Sequence, residues 1–192
     1  MEALIVSTGV VALAEIGDKT QLLAFVLAAR FKKPLPIIAG ILLATLVNHG
    51  LAGALGAWIM QVLSPAVLRW VLGLSFIGMA IWTLVPDTLD EEDARVTGHL
   101  GVFGATLLTF FLAEMGDKTQ VATVAMAAHY GTPLMVVAGT TLGMLIADVP
   151  AVLVGGTLAG RIPMRWVHAA AAAVFALLGV ATLSGAGSAF GL

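Results

Sequence analysis

Residues 14–21 read AEIGDKTQ, and residues 113–120 read AEMGDKTQ. Each octet places two carboxylates and one ammonium inside an apolar stretch: Glu15, Asp18 and Lys19 in the first, Glu114, Asp117 and Lys118 in the second. Carboxylate oxygens are ligands for hard divalent cations such as Ca²⁺, Mg²⁺ or Mn²⁺. The chain has no cysteine, so thiolate sites for softer metals and disulfides are excluded. Four adjacent carboxylates cannot all stay ionised while the site is empty, so protons occupy it when the metal does not. Competition of a metal and protons for one set of oxygens is the minimum chemistry of a cation/proton exchanger. The lysines either pair with the carboxylates or serve as resident cations displaced by the metal.

The elements that hold these residues follow from composition. Of 192 residues, 60% are hydrophobic and 10% charged, and the mean hydropathy is +1.05. A soluble domain carries about 25% charged residues. Apolar stretches fall at 3–29, 35–62, 66–86, 100–128, 133–160 and 164–185, separated by RFKKP, SP, an acidic VPDTLDEEDARVTGH, HYGTP and GRIP. Runs of this length and uniformity span a bilayer as helices, not as the alternating strands of a barrel. The N-terminal stretch lacks the positive n-region of a secretory signal and reads as the first membrane helix. No basic cluster points to nucleic acid. Arg30, Lys32, Lys33, Arg95, Arg161 and Arg165 fall on one side and Arg69 on the other. The positive-inside rule then places both termini outside the cytoplasm.

An offset of 99 residues aligns the octets, and with them Ala28-Ala29 with Ala127-Ala128, Pro34-Leu35 with Pro133-Leu134, Ala39-Gly40 with Ala138-Gly139, and Gly56 with Gly155. The expected fold is an all-α integral membrane protein of six transmembrane helices, arranged as two inverted three-helix repeats. Residues 1–86 form the first repeat, 87–99 an acidic cytoplasmic linker, and 100–192 the second repeat. Inverted repeats place a transporter's site near the bilayer midplane between them. Ten residues from Ile5 to Glu15 make ~15 Å of helix, half of a ~30 Å hydrocarbon core. A charge at that depth costs at least ~2.5–3.5 kcal/mol, so the octets need a shared polar cavity.

On a regular helix Glu15, Asp18 and Lys19 share a face, as do Glu114, Asp117 and Lys118. Gln21 lies 60° from Asp18 and reaches the same cavity; Gln120 is its equivalent. Thr20 and Thr119 do not lie on that face. Either they bond a neighbouring helix or the helices are irregular at Gly17 and Gly116. Irregularity is the favoured reading, because Gly-Asp weakens a helix and broken helices bind ions. Further polar residues are Asn48, His49 and Asp148, the last at the position equivalent to His49. Asp148 is a candidate proton relay, and a pair between His49 and Asp148 is conceivable. His49 itself reads as a packing histidine in preference to a ligand. Met79, Met126 and Met144 read as packing, and the 90–93 acidic run as a solvated loop. The bland reading of each octet, an intrahelical Glu–Lys pair, fits poorly with its depth and duplication.

The pattern E-φ-G-D-[KR]-[ST], present twice and matched in full by residues 15–20 and 114–119, resembles the signature of the Gdt-type cation exchanger family. Its members occur in bacterial plasma membranes, Golgi and chloroplasts and are associated with Mn²⁺ and Ca²⁺ transport in exchange for protons. The resemblance implies Glu15, Asp18, Glu114 and Asp117 as ligands. Lys19, Lys118, Thr20, Thr119, Gln21, Gln120, Asn48 and Asp148 are in support. It also implies a manganese exporter or Ca²⁺/H⁺ exchanger with no resident cofactor, whose cargo is Mn²⁺ or Ca²⁺ and H⁺. The short linker and lack of an N-terminal targeting extension look prokaryotic, so the expected location is a bacterial inner membrane, with a homo-oligomer left open. The rival class is an intramembrane metal-dependent enzyme such as a lipid phosphatase or protease. Near-identical octets in inverted halves argue against it, since catalysis needs asymmetric roles.

Overall fold

The computed structural model describes residues 1–85, 100–154 and 164–185. Among them the regular structure is helical: α1 (Glu2–Glu15), α2 (Lys19–Phe31), α3 (Pro34–Val62), α4 (Pro65–Thr83), α5 (Gly101–Glu114), α6 (Lys118–Tyr130), α7 (Pro133–Val154) and α8 (Met164–Ser184). Proline opens α3, α4 and α7, where its missing N–H and fixed φ are tolerated. The acidic linker with Arg95, the 90–93 run and His99, together with Arg161 and Gly155, lies outside the described residues.

The expected helices over 3–29 and 100–128 are each two helices. α1 and α5 have 14 residues each, α2 and α6 have 13. At 1.5 Å per residue each is ~20 Å long and too short to cross ~30 Å of hydrocarbon alone. Four helices are long and apolar enough to do so: Pro34–Val62, Pro65–Thr83, Pro133–Val154 and the Arg165–Ser184 part of α8.

Burial is distributed as lipid demands. Leu35, Leu51, Leu134, Leu153 and Leu177 are exposed, as are Trp58, Trp70 and Trp166 near helix ends, the depth at which tryptophan sits in a bilayer interface. The interior holds Phe76, Phe110, Phe175, Met79, Met126 and Met144, so the three methionines pack as expected. It also holds Glu15, Asp18, Asn48, His49, Glu114, Asp117, Lys118 and Asp148.

Packing follows the sequence repeat. α1 packs chiefly on α7, and α5 on α3; α6 packs on α3, and α2 on α7; α4 packs on α8. The 99-residue offset relates the α1–α7 contact to α5–α3, and the α2–α7 contact to α6–α3. The close approaches repeat too: Gly40 sits against Thr106 and the Phe103 carbonyl, and Gly139 against Ser7 and the Leu4 carbonyl. Small residues let helix backbones meet without a driving force from water.

Candidate cation site at the helix breaks

The backbone between α1 and α2 and that between α5 and α6 take one conformation. Ile16 has φ −63° and ψ 113°, Met115 φ −64° and ψ 117°. Gly17 and Gly116 follow with φ 87° and 78°. Asp18 and Asp117 are extended N-caps with φ −79° and −76°. Positive φ is open to glycine because it lacks a Cβ, so a Gly-Asp step is where an otherwise helical run stops and restarts. The Gly17 N–H donates to Gln21 Oε1 at 2.9 Å, and the Gly116 N–H to Gln120 Oε1 at 2.8 Å. The two glutamines, expected to reach the shared cavity, thus close the breaks.

The break settles the angle of the threonines. The Thr20 hydroxyl donates to Glu15 Oε2 at 2.6 Å, and the Thr119 hydroxyl to Glu114 Oε2 at 3.0 Å. Thr119 also lies 3.5 Å from Asp117 Oδ2. The shared face of a regular helix therefore does not exist: Glu15 and Asp18 are on opposite sides of a break. The C-terminal end of α1 and the N-terminal end of α2 meet here, as do those of α5 and α6. Helix ends bring partial charges of both signs to such a site.

Charge pairing crosses between the octets. Lys118 Nζ is 3.0 Å from Asp18 Oδ2, and Lys19 Nζ is 3.6 Å from Asp117 Oδ1. Of the two options for the lysines, pairing with carboxylates is the arrangement seen, each with the aspartate of the other octet. Oxygens of Glu15, Glu114 and Asp117, one from each, all lie within 4.8 Å of one another. Glu15 Oε1 and Glu114 Oε1 are buried without a hydrogen-bond partner. Two buried carboxylate oxygens left unbonded and a third within reach are a donor set for a hard cation. Asp18 stands outside this set, its carboxylate engaged by Lys118 and by the Lys19 N–H at 2.7 Å.

The supporting residues divide by role. Asn48 donates to the Phe111 carbonyl at 3.0 Å and accepts from Gln120 Nε2 at 3.3 Å. At the equivalent place Gln21 Nε2 donates to the Ala147 carbonyl at 3.0 Å. These bonds fix the broken helices on α3 and α7. Asp148 is fully buried with neither oxygen hydrogen-bonded. His49, read from sequence as packing, is fully buried with Nε2 4.0 Å from Glu114 Oε2. Neither of its ring nitrogens is hydrogen-bonded, and Glu114 is the carboxylate within 4.0 Å of it. Five buried carboxylates thus meet two lysines and one histidine.

The family profile described as "Divalent cation/proton antiporter GDT1" matches residues 3–91 and again 102–189. A Vibrio cholerae protein named "Putative manganese exporter" is 51% identical over 183 residues, which cover 95% of this chain and 90% of that protein. GDT1-like protein 3 of Oryza sativa subsp. indica is 28% identical, over 86% of this chain and 68% of its own length. GDT1-like protein 5 of Arabidopsis thaliana is 27% identical, over 89% of this chain and 90% of its own. No solved structure matches.

Proposed function

We propose, for a chain that belongs to the divalent cation/proton antiporter GDT1 family, that its cargo is Mn²⁺, exported in exchange for H⁺, with Ca²⁺ the competing ion. The family transports ions and is not a family of enzymes, so the metalloenzyme alternative has no support. With several apolar helices, the chain is a multi-pass membrane protein.

The observation that carries the reading is the buried trio Glu15, Glu114 and Asp117 with its unbonded oxygens. Lys118 and Lys19 offset Asp18 and Asp117, which leaves the two glutamates and Asp148 without an ammonium. One divalent cation between Glu15 and Glu114, or one proton on each, compensates the same two charges. Binding either cargo therefore restores a low net charge, which a bilayer centre requires. The manganese preference rests on the Vibrio relative's name and on carboxylates suiting Mn²⁺.

In this reading each broken pair, α1 with α2 and α5 with α6, makes one crossing. Six crossings then form two inverted three-helix repeats, 1–86 and 100–192, joined by a cytoplasmic linker, in a bacterial inner membrane with both termini outside the cytoplasm. Alternating access moves the repeats about a midplane site. The test is ion-resolved flux in proteoliposomes, with Mn²⁺, Ca²⁺ and Mg²⁺ competing under an imposed pH gradient. Mn²⁺ flux that moves protons the opposite way is expected. Unchanged flux after the pH gradient is collapsed overturns exchange, and Ca²⁺ preferred over Mn²⁺ overturns the choice of cargo.

A further inference from the structure

The two cross-octet ion pairs join the same residue types on the same local backbone, yet they differ. Lys118 and Asp18 are 3.0 Å apart with side chains 2% and 0% exposed. Lys19 and Asp117 are 3.6 Å apart, and the Lys19 side chain is 21% exposed. The more loosely held aspartate, Asp117, belongs to the trio of candidate ligands, and the tightly held one, Asp18, does not. The octets themselves, AEIGDKTQ and AEMGDKTQ, differ at one apolar position, so the difference does not come from their own residue types.

An ammonium at 3.0 Å closes an aspartate to a metal, whose own bond of roughly 2.0–2.6 Å to the same carboxylate would force two cations together. Asp18 is closed in this way. Asp117 is open to a metal as soon as Lys19, already longer and partly solvated, steps back. Both lysines cannot step back together, since a buried charge left unpaired is strongly destabilising.

We propose that Lys19 and Lys118 are tethered cations that alternate. In the conformation described here Lys118 guards Asp18, and the metal takes Asp117 with Glu15 and Glu114. In the oppositely facing conformation Lys19 guards Asp117, and the metal takes Asp18 with the same two glutamates. The ion passes from one aspartate to the other while the donor set stays at two glutamates and one aspartate. The idea rests on the alternating-access reading above. It adds that the motif lysines are positioning residues that decide which aspartate is a ligand on each side.

The experiment uses the full chain in proteoliposomes of sorted orientation, with Mn²⁺ half-saturation measured from each side. Lys19→Met is expected to lower half-saturation about fivefold from one side only, and Lys118→Met from the other side only. Lys19→Arg and Lys118→Arg keep the charge but grip a carboxylate with a bidentate fork, and are expected to raise it on those same respective sides. The arginine pair carries the test alone should a methionine variant not assemble. Shifts equal on both sides, or no shift in any variant, refute the alternation while Mn²⁺/H⁺ exchange by the unaltered chain still stands. An unaltered chain that moves no divalent cation refutes both.

Discussion

The proposed site is built on the break at Gly116, and the energetics of that break can be worked from the backbone. Gly116 has φ 78° and nothing within 4 Å of where a Cβ would stand. Gly116→Ala therefore meets no clash, and its stability cost is that of an L-residue in left-handed backbone, about 1–2 kcal/mol. For a chain of this size that lowers Tm by roughly 2–8 °C. Two comparisons isolate the cause. Gly101 also has positive φ, 65°, and also has no atom within 4 Å of a Cβ, but it opens α5 at the end remote from Glu114. Gly101→Ala should lose similar stability and keep Mn²⁺ affinity. Gly9 lies within α1, with open space and no positive φ, and Gly9→Ala should hold or raise Tm, since alanine is the better helix former by about 1 kcal/mol. The assay is thermal unfolding of the detergent-solubilised chain with and without Mn²⁺. Gly116→Ala should lower Tm and also shrink the Mn²⁺-induced rise, because strain at the break shifts Glu114 and Asp117 apart. Equal behaviour of Gly116→Ala and Gly9→Ala would mean that the break is not a left-handed turn, and the account of the site would fail with it.

Four further outcomes follow from the same geometry. Asp18→Asn leaves the buried Lys118 ammonium without its carboxylate and should cost about 3–5 kcal/mol, seen as lost yield and Tm, whereas Lys118→Met combined with Asp18→Asn should recover most of that loss. Asp117→Asn, whose lysine is partly solvated, should keep Tm within a few degrees and still abolish Mn²⁺ flux; retained full flux removes Asp117 from the site. A Cβ at Gly139 would lie 2.5 Å from the Leu4 carbonyl oxygen and at Gly40 2.8 Å from Thr106 Cβ. Each alanine variant should therefore lose about 1–3 kcal/mol by overpacking, with Gly139 the worse because backbone cannot rotate away; identical Tm to the parent chain would contradict the packing of α1 on α7. Two protons and one divalent cation compensate the same two glutamates, so exchange should be electroneutral, and a transport current reversing with membrane potential would contradict that.

Much of this architecture could be read before any coordinates. Low charge content and long apolar runs require helices in lipid, because lipid leaves backbone groups no other partners. The repeated octet exposes the duplication, because Glu, Asp, Lys and Pro are too rare in such a chain to align by chance. Even the breaks were foreshadowed: Thr20 cannot reach the face of Glu15 on a regular helix, and the Gly-Asp step supplies the place for the chain to turn. Regular helical periodicity does not hold across the break. Counting 100° per residue placed Glu15, Asp18 and Lys19 on one face of a segment whose Gly17 has φ 87°.

Residue types and their spacing thus determined the solvent, the helices, the twofold repeat and the identity of the ionisable groups, since each follows from local backbone preference or transfer free energy. Tertiary structure decided who meets whom. Lys118 reaches Asp18 and Lys19 reaches Asp117 across 100 and 98 residues of chain, a pairing that no window along the sequence contains. The same holds for His49 beside Glu114 and Gln120 on Asn48. The difference between a closed Asp18 and an open Asp117 has no trace in two octets that are nearly the same string. It arises because a buried site with more carboxylates than ammoniums can satisfy them in more than one way, and only a particular packing of α2, α3, α6 and α7 selects one.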